Sequence, residues 1–401
     1  MARMTGGHAL VKSLTRHGID TVFGIPGVQL DHLFNAFHDE RNTIRVINTR
    51  HEQGAAYMAL GYAMATGRIG AYAVVPGPGL LNTTAALSTA YACNAPVLCI
   101  TGQIPQSWIG QGVGLLHEIP DQFGIIERLT KWVARITAPE GVPAVIDEAV
   151  RRMRSERVRP TGVEIPLDVL PAEAEVTIGK ASPTPPPPAP DQDAIEAAAR
   201  ALGTAKAPVI FVGGGALNAG RELRTLAERL QAPVVASQTG LGVLDSRHPL
   251  SFTYPGGHWL MAACDVILAI GSRIQRPLMN WRMAEGRTLI RVDIDAEEID
   301  RVVSPQIAVH ADATLALAAI NGRIGEFDAG RPSRADEFAR VRSELATEFS
   351  KLEPQLSYLG AIREALPEDG IFVEELTQVG YVARMAFPVY HPRGFISTGY
   401  Q

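Results

Sequence analysis

Glu52 is the residue of this chain best placed to do chemistry. It stands in Val46-Ile-Asn-Thr-Arg-His51-Glu52-Gln-Gly54-Ala-Ala-Tyr-Met-Ala-Leu-Gly61-Tyr-Ala63, where an apolar segment runs into polar residues and a carboxylate opens an alanine-rich helix. An acidic residue in a first turn is favoured by the helix dipole, and that alone explains it. Its neighbours point further. Phe23-Gly24-Ile25-Pro26-Gly27 and Pro76-Gly77-Pro78-Gly79 each follow a short apolar run. Three loops at the ends of neighbouring strands would converge on one crevice, with the carboxylate at its edge. Gly54, Met58, Gly61 and Ala65 fall about one turn apart, predicting a narrow helical face that packs close against a neighbouring backbone.

The elements that must position these residues follow from the hydrophobic pattern. Over the first ~170 residues helix-period and strand-like segments alternate, the pattern of a parallel sheet with helices on both faces. Helices are predicted at Gly7–His17, Gln29–His38, Glu52–Thr66, Leu80–Ala92, Pro120–Leu129 and Val142–Glu156. Strands are predicted at Thr21–Phe23, Ile44–Ile47, Ala71–Val75, Pro96–Thr101, Trp132–Ile136 and Gly162–Asp168. A proline-rich strap ending at Asp191 cannot enter a helix interior and marks an interdomain boundary. Alternation resumes beyond it, where Gly213-Gly-Gly-Ala-Leu-Asn-Ala-Gly220 follows a strand but has Asn218 where a GxGxxG motif needs its third glycine. The fold class is therefore α/β, built from successive parallel-sheet three-layer domains. The expected divisions are 1–172, a linker 173–191, a Rossmann-like domain 192–330, a helical linker 331–355 and the beginning of a third domain at 356–401.

Composition narrows the function classes. Hydrophobic residues make up 46% and charged residues 20% of 401, with a formal net charge of -5; this argues against nucleic acid or anionic membrane as the main partner. No apolar run approaches the roughly 20 residues that span a bilayer. The N-terminus lacks an apolar signal region, so a cytoplasmic location is expected. Cys93, Cys99 and Cys264 are scattered in apolar sequence and read as buried free thiols. HExxH, paired CxxC and clustered His/Asp ligand sets are missing from the sequence, so a metal site of that kind is not expected.

Taken together, Gly24-Ile-Pro-Gly27, His51 to Ala63, Gly77-Pro-Gly-Leu-Leu-Asn82, Pro96-Val-Leu-Cys-Ile-Thr-Gly-Gln103, Gly271-Ser-Arg273, Val292-Asp-Ile-Asp295 and Phe395-Ile-Ser-Thr-Gly399 resemble the thiamine diphosphate-dependent enzymes of the acetolactate synthase and 2-oxo-acid decarboxylase group. The resemblance covers the whole chain. It implies a pyrimidine-binding domain, a Rossmann-like central domain and a diphosphate-binding domain, with thiamine diphosphate and Mg2+ held between subunits of a homodimer or homotetramer. By the same likeness Glu52 bonds N1′ of the aminopyrimidine, and Gly24, Pro26 and Gly27 form the loop against that ring. Pro78, Gly79 and Asn82 form the loop beneath it, and Gln103 lies near the reacting carbon. The implied reaction is decarboxylation of a 2-oxo acid, followed by protonation or by carboligation to a second carbonyl.

The departures from the family pattern carry expectations of their own. Leu116-His117 stands where acetolactate synthases have Phe-Gln before the glutamate matching Glu118, so His117 is a candidate proton donor or reader of a polar substrate tail. Arg273 and Arg276 partly match contacts to the FAD that some members bind, whereas Gln275 and Pro277 break that pattern and weigh against FAD. The family's Gly-Asp-Gly segment and following Asn, which hold Mg2+ and the diphosphate, have no match here. The expectation is a continuation of the chain, or another polypeptide, that supplies them, with residues 1–401 inactive alone. The competing reading is a non-catalytic or regulatory α/β fragment that binds a partner subunit or nucleotide-like ligand.

Overall fold

In the computed structural model, which describes residues 1–281, 286–328 and 330–397, strand and helix alternate from the first residues. Strand β1 (Ala2–Thr5) leads into α1 (Gly6–Arg16), then β2 (Thr21–Gly24), α2 (Asp31–Asp39), β3 (Arg45–Asn48), α3 (Glu52–Thr66) and β4 (Gly70–Val74). Two short helices, α4 (Pro78–Leu81) and α5 (Thr84–Cys93), precede β5 (Val97–Gln103). The series continues with α6 (Gln122–Leu129), β6 (Trp132–Arg135), α7 (Val142–Arg154), β7 (Thr161–Pro166) and β8 (Glu173–Val176). Strands β2 to β7 form one six-stranded sheet in the order β3-β2-β4-β5-β7-β6, and every pairing in it is parallel.

Successive strand residues face opposite layers, as the pleat requires. Val22, Ala71, Ala73, Leu98 and Ile100 join one core with Leu10, Leu33 and Ile146 of α1, α2 and α7. Phe23, Tyr72, Val74, Val97 and Cys99 join a second core with Ala59, Leu87 and Ile126 of α3, α5 and α6. Both faces are thus covered, and β5 is buried along its whole length. From β2 the chain steps outward to β3 and then crosses to β4 on the other side of β2. That reversal is a topological switch point, outside which ligands of open α/β sheets bind.

Three sequence expectations change. The helix expected over 80–92 is two helices, broken where Thr83 turns into the core, donates to the Leu80 carbonyl at 2.7 Å and meets the Tyr72 hydroxyl at 3.1 Å. The face of α3 that packs is not Gly54, Met58, Gly61 and Ala65. Met58 stays 43% exposed and a Cβ on Gly61 would meet nothing within 4 Å. The alanine face Ala55, Ala56, Ala59 and Ala63 packs instead, so closely that a Cβ on Gly70 would overlap the Ala59 carbonyl. Finally, Glu173–Val176, read as the start of the linker, forms strand β8 and pairs antiparallel with β1, which carries ordered structure of the first unit past residue 172.

The first unit spans Met1–Pro186 and the second begins at Pro187. The second contains a six-stranded parallel sheet of β9 (Val209–Val212), β10 (Val234–Ala236), β11 (Ser251–Thr253), β12 (Val266–Ile270), β13 (Thr288–Asp293) and β14 (Ile307–His310). Its order, β11-β10-β9-β12-β13-β14, is that of the Rossmann fold. Helices Ala335–Phe349 and Gln355–Ala365 follow. A parallel pair of two-residue strands, Phe372–Val373 and Phe395–Ile396, then flanks the helix Gln378–Ala386. Thr398 and Gly399 of the closing motif lie outside the described residues. Among the described residues no helix is long and apolar enough to cross a membrane. Cys99 and Cys264 are buried free thiols, both pushed up to about 12 by burial, and Cys93 is half-buried.

Candidate functional site

The carboxyl ends of β2, β3 and β4 bring the predicted residues together. His51, in extended conformation, caps α3: its Nδ1 accepts from the Gln53 N–H at 3.1 Å, so Glu52 begins the helix. The segment ahead of it is tied to the first glycine-proline loop by the Thr49 N–H donating to the Gly24 carbonyl at 3.2 Å. That loop and the second one pack on opposite methyls of Val75. A Cβ on Gly27 would lie 2.5 Å from Val75 Cγ1 and one on Gly79 2.6 Å from Val75 Cγ2. Asn82, one turn beyond Gly79, donates from Nδ2 to Glu52 Oε2 at 3.0 Å. Gly24, Gly27, Glu52, Gly79 and Asn82 therefore surround one point at the switch point of the sheet, with Pro26 and Pro78 exposed on its rim.

Glu52 is half-buried, and its hydrogen-bond partner is the polar Asn82. Its own helix does not enclose it in apolar side chains, because Gly54 and Tyr57 beside it are themselves partly open. The donor set fits an aminopyrimidine: one carboxylate, one amide holding it, and glycines that keep side chains out of the crevice.

His117 lies on the loop that covers the crevice from the β5 side. Its backbone has φ 64°, and its Nδ1 is 3.1 Å from Gln29 Oε1. Gln29, buried, also donates to the Leu116 carbonyl at 3.1 Å. The loop is shaped by Glu118, whose carboxylate accepts from the N–H groups of Gly112, Gly114 and Leu115 at 3.0, 2.7 and 2.9 Å. Those bonds, the one from Leu115 foremost, hold its carboxyl below the ordinary glutamate range. A depressed carboxylate contributes order that is complete above the ordinary value of about 4.3 and is lost as pH falls through the lower folded value. The amide resonances of Gly112 and Gly114 are therefore expected to titrate together with a midpoint below that value. A midpoint at or above it would show that the carboxylate does not cap the loop.

Gln103 closes β5. It is 5% exposed, donates to Glu164 Oε1 at 3.2 Å and accepts from the Ile104 N–H at 2.8 Å, so its amide is engaged. The same buried carboxylate, on β7, accepts from Gln122 Nε2 at 2.9 Å and from Arg135 Nε at 2.8 Å. Gln122 in turn accepts from the Gly77 N–H at 2.8 Å. Sequence reasoning missed Gln122, Arg135 and Glu164. A signal was present: a glutamate inside Gly162-Val-Glu-Ile-Pro, a strand covered on both faces, must be paired.

At the other switch point, between β9 and β12, the glycine-rich turn packs against backbone. The N–H groups of Gly213 and Gly215 donate to the Ile270 and Gly271 carbonyls at 3.1 Å each, and a Cβ on Gly213 would overlap the Gly271 oxygen. Arg273 pairs with Glu298 at 3.3 Å. The glycines here serve close packing of two strand ends, and those two N–H groups are already engaged. Among the described residues no group of three or more His, Cys, Asp or Glu is placed to hold a metal ion.

Two family profiles match the chain: the thiamine pyrophosphate enzyme N-terminal TPP binding domain over residues 4–125, and the central domain of the same enzymes over 195–320. A probable 2-ketoarginine decarboxylase of Pseudomonas aeruginosa, AruI, is 36% identical over 405 residues, covering 99% of this chain and 72% of that protein. The large subunit of acetolactate synthase isozyme 1 of Escherichia coli is 30% identical, covering 99% of this chain and 72% of the subunit. A glyoxylate carboligase of Escherichia coli O157:H7 is 32% identical over 100% of this chain and 70% of its own length. The crevice between two glycine-proline loops, the Rossmann order of the second sheet and these likenesses agree: the chain belongs to the thiamine pyrophosphate enzyme family.

Proposed function

We propose that this chain forms the pyrimidine-binding part of a thiamine diphosphate site in an enzyme that decarboxylates a 2-oxo acid, and that Glu52 exchanges a proton with N1′ of the aminopyrimidine. The observation that carries the reading is the Glu52 carboxylate, held by Asn82 at the switch point between the loops of Gly27 and Gly79. When bound, thiamine diphosphate supplies an electron sink for the carbanion left as CO2 departs. The chain's residues do the rest. Asn82 fixes one carboxylate oxygen of Glu52, which leaves the other to hold a proton at the ring nitrogen. Pro26, Gly27, Pro78 and Gly79 would line the place of the ring and limit the access of water to Glu52. His117, on the loop above, offers an imidazole to the substrate side, where it reads a polar tail or delivers a proton. The Mg2+ and diphosphate contacts would come from the assembled dimer or tetramer, or from a second polypeptide.

The test is CO2 release by the holoenzyme from a panel of 2-oxo acids with apolar, acidic and basic tails, in the presence of thiamine diphosphate and Mg2+. Release from one tail class well above the others is expected. Substituting His117→Ala should shift the ranking by about tenfold or more for the preferred acid while cofactor affinity stays within about twofold of wild type. An unchanged ranking would make His117 incidental, and no CO2 release from any acid would remove the decarboxylase reading.

A further inference from the structure

Beneath the turn that begins at Gly77 lies a cluster of polar side chains, Gln103, Gln122 and Glu164 buried and Arg135 partly so, that links strands β5, β6 and β7 to that turn. The geometry points to Gln122 and Glu164 as a positioning pair that ties the Gly77 turn to the loop running from 106 to 121, so that Asn82 and His117 are held as one body; this rests on the Gly77–Asn82 turn being part of the thiamine site.

Gln122 is 2% exposed and Glu164 fully buried, so neither touches a bound molecule. Every polar atom of the Gln122 amide is engaged. Its oxygen accepts from the Gly77 N–H at 2.8 Å, and its nitrogen donates to the Gly102 carbonyl and to Glu164 Oε1, both at 2.9 Å. The orientation of the amide is forced, since a backbone N–H needs an acceptor and a carboxylate needs a donor. Glu164 is fixed from two further directions, by Gln103 on its Oε1 at 3.2 Å and by Arg135 on its Oε2 at 2.8 Å. Gln122 opens α6 immediately after the loop that carries His117, while Gly77 opens the turn that carries Pro78, Gly79 and Asn82. One side chain therefore sets the spacing between the two.

Gly77 has φ 60° and ψ −116°, a conformation glycine adopts without strain and a residue with a Cβ does not. The His117 carbonyl leans on the space a Cβ at Gly77 would fill, so loop and turn are in direct contact as well as bonded through Gln122. From the first glycine-proline loop Gln29 clasps the same 106–121 loop at Leu116 and His117. Glu164 is thus the fixed point in the sheet, and Gln122 the arm that transmits its position to both segments.

Hydrogen exchange by mass spectrometry on the full chain tests this without any cofactor. Gln122→Leu keeps the bulk and removes all three bonds; Glu164→Gln keeps the shape and removes the charge. Each is expected to speed exchange about tenfold or more in the segments 75–82 and 106–121 together, with α7 and β9 unchanged. Should Gln122→Leu not fold, Gln122→Glu keeps an acceptor for Gly77 but sets a second carboxylate against Glu164, and is expected to loosen the same two segments at neutral pH. Unchanged exchange, loosening of one segment alone, or uniformly faster exchange across the unit would overturn the coupling. Calorimetry with thiamine diphosphate and Mg2+ on the same cofactor-free protein reads the cofactor separately, so a failed thiamine reading and a failed coupling give different results.

Discussion

Glu52→Gln is expected to lower turnover of the holoenzyme by about 10²–10⁴-fold, the range over which a positioned proton-transfer group contributes. The amide has nearly the shape of the carboxyl and retains an oxygen to accept from Asn82 Nδ2, the bond that spans 3.0 Å in the wild type. What it loses is the ability to take up and release a proton at a ring nitrogen. The fold should survive, because the α3 N-terminus is capped by His51 and not by Glu52. A thermal midpoint within about 2 °C of wild type is expected, as for a partly open site that packs against little. Turnover measured at saturating cofactor separates the proton role from binding. Wild-type turnover with bound cofactor would falsify the assignment of Glu52, whatever became of the rest of the site.

Gly77→Ala is expected to be the most damaging single-methyl change in the crevice. The backbone at Gly77 lies at φ 60°, ψ −116°, where a residue with a Cβ is strained by about 1–3 kcal/mol. The added methyl also has nowhere to go, since it would overlap the His117 carbonyl oxygen; overpacking of that kind costs about 1–3 kcal/mol more. Together about 2–6 kcal/mol of destabilisation, or a fall of about 4–24 °C in the melting of the first unit, is expected. Gly18 is the control. It has φ 72° but nothing within 4 Å of an added Cβ, so Gly18→Ala carries the backbone strain without the clash and should lower the midpoint only a few degrees. Equal effects at the two positions would show that the His117 loop yields freely, and would place the strain, not the contact, at the origin of the loss.

How much of this was legible in the sequence follows the range of the interactions. The start of α3 at Glu52 was readable to the residue, because a helix start, an acid in the first turn and an alanine run are all set by neighbours a few positions apart. The two glycine-proline loops were readable for the same reason. The packing face of α3 was misread because both candidate faces consist of small residues, and sequence spacing does not say which one meets the sheet. Ala59 lies against Gly70, and that contact, not helix periodicity, decides which face is buried. The break at Thr83 was missed because a threonine in an apolar run looks like helix until Tyr72, eleven residues away, is seen to hold its hydroxyl.

The sequence by itself determined the strand-and-helix alternation, the pair of glycine loops, the acid between them and the family to which they belong, since each of these rests on local pattern. Only the tertiary structure decided that Asn82 holds Glu52, that both loops lean on Val75, and that Gln103 is bonded to the buried Glu164. These are contacts between segments tens of residues apart, such as Gln122 and Gly77 at a separation of 45. Strand order, which brings β2 beside β4 and β7 beside β5, is what closes that distance.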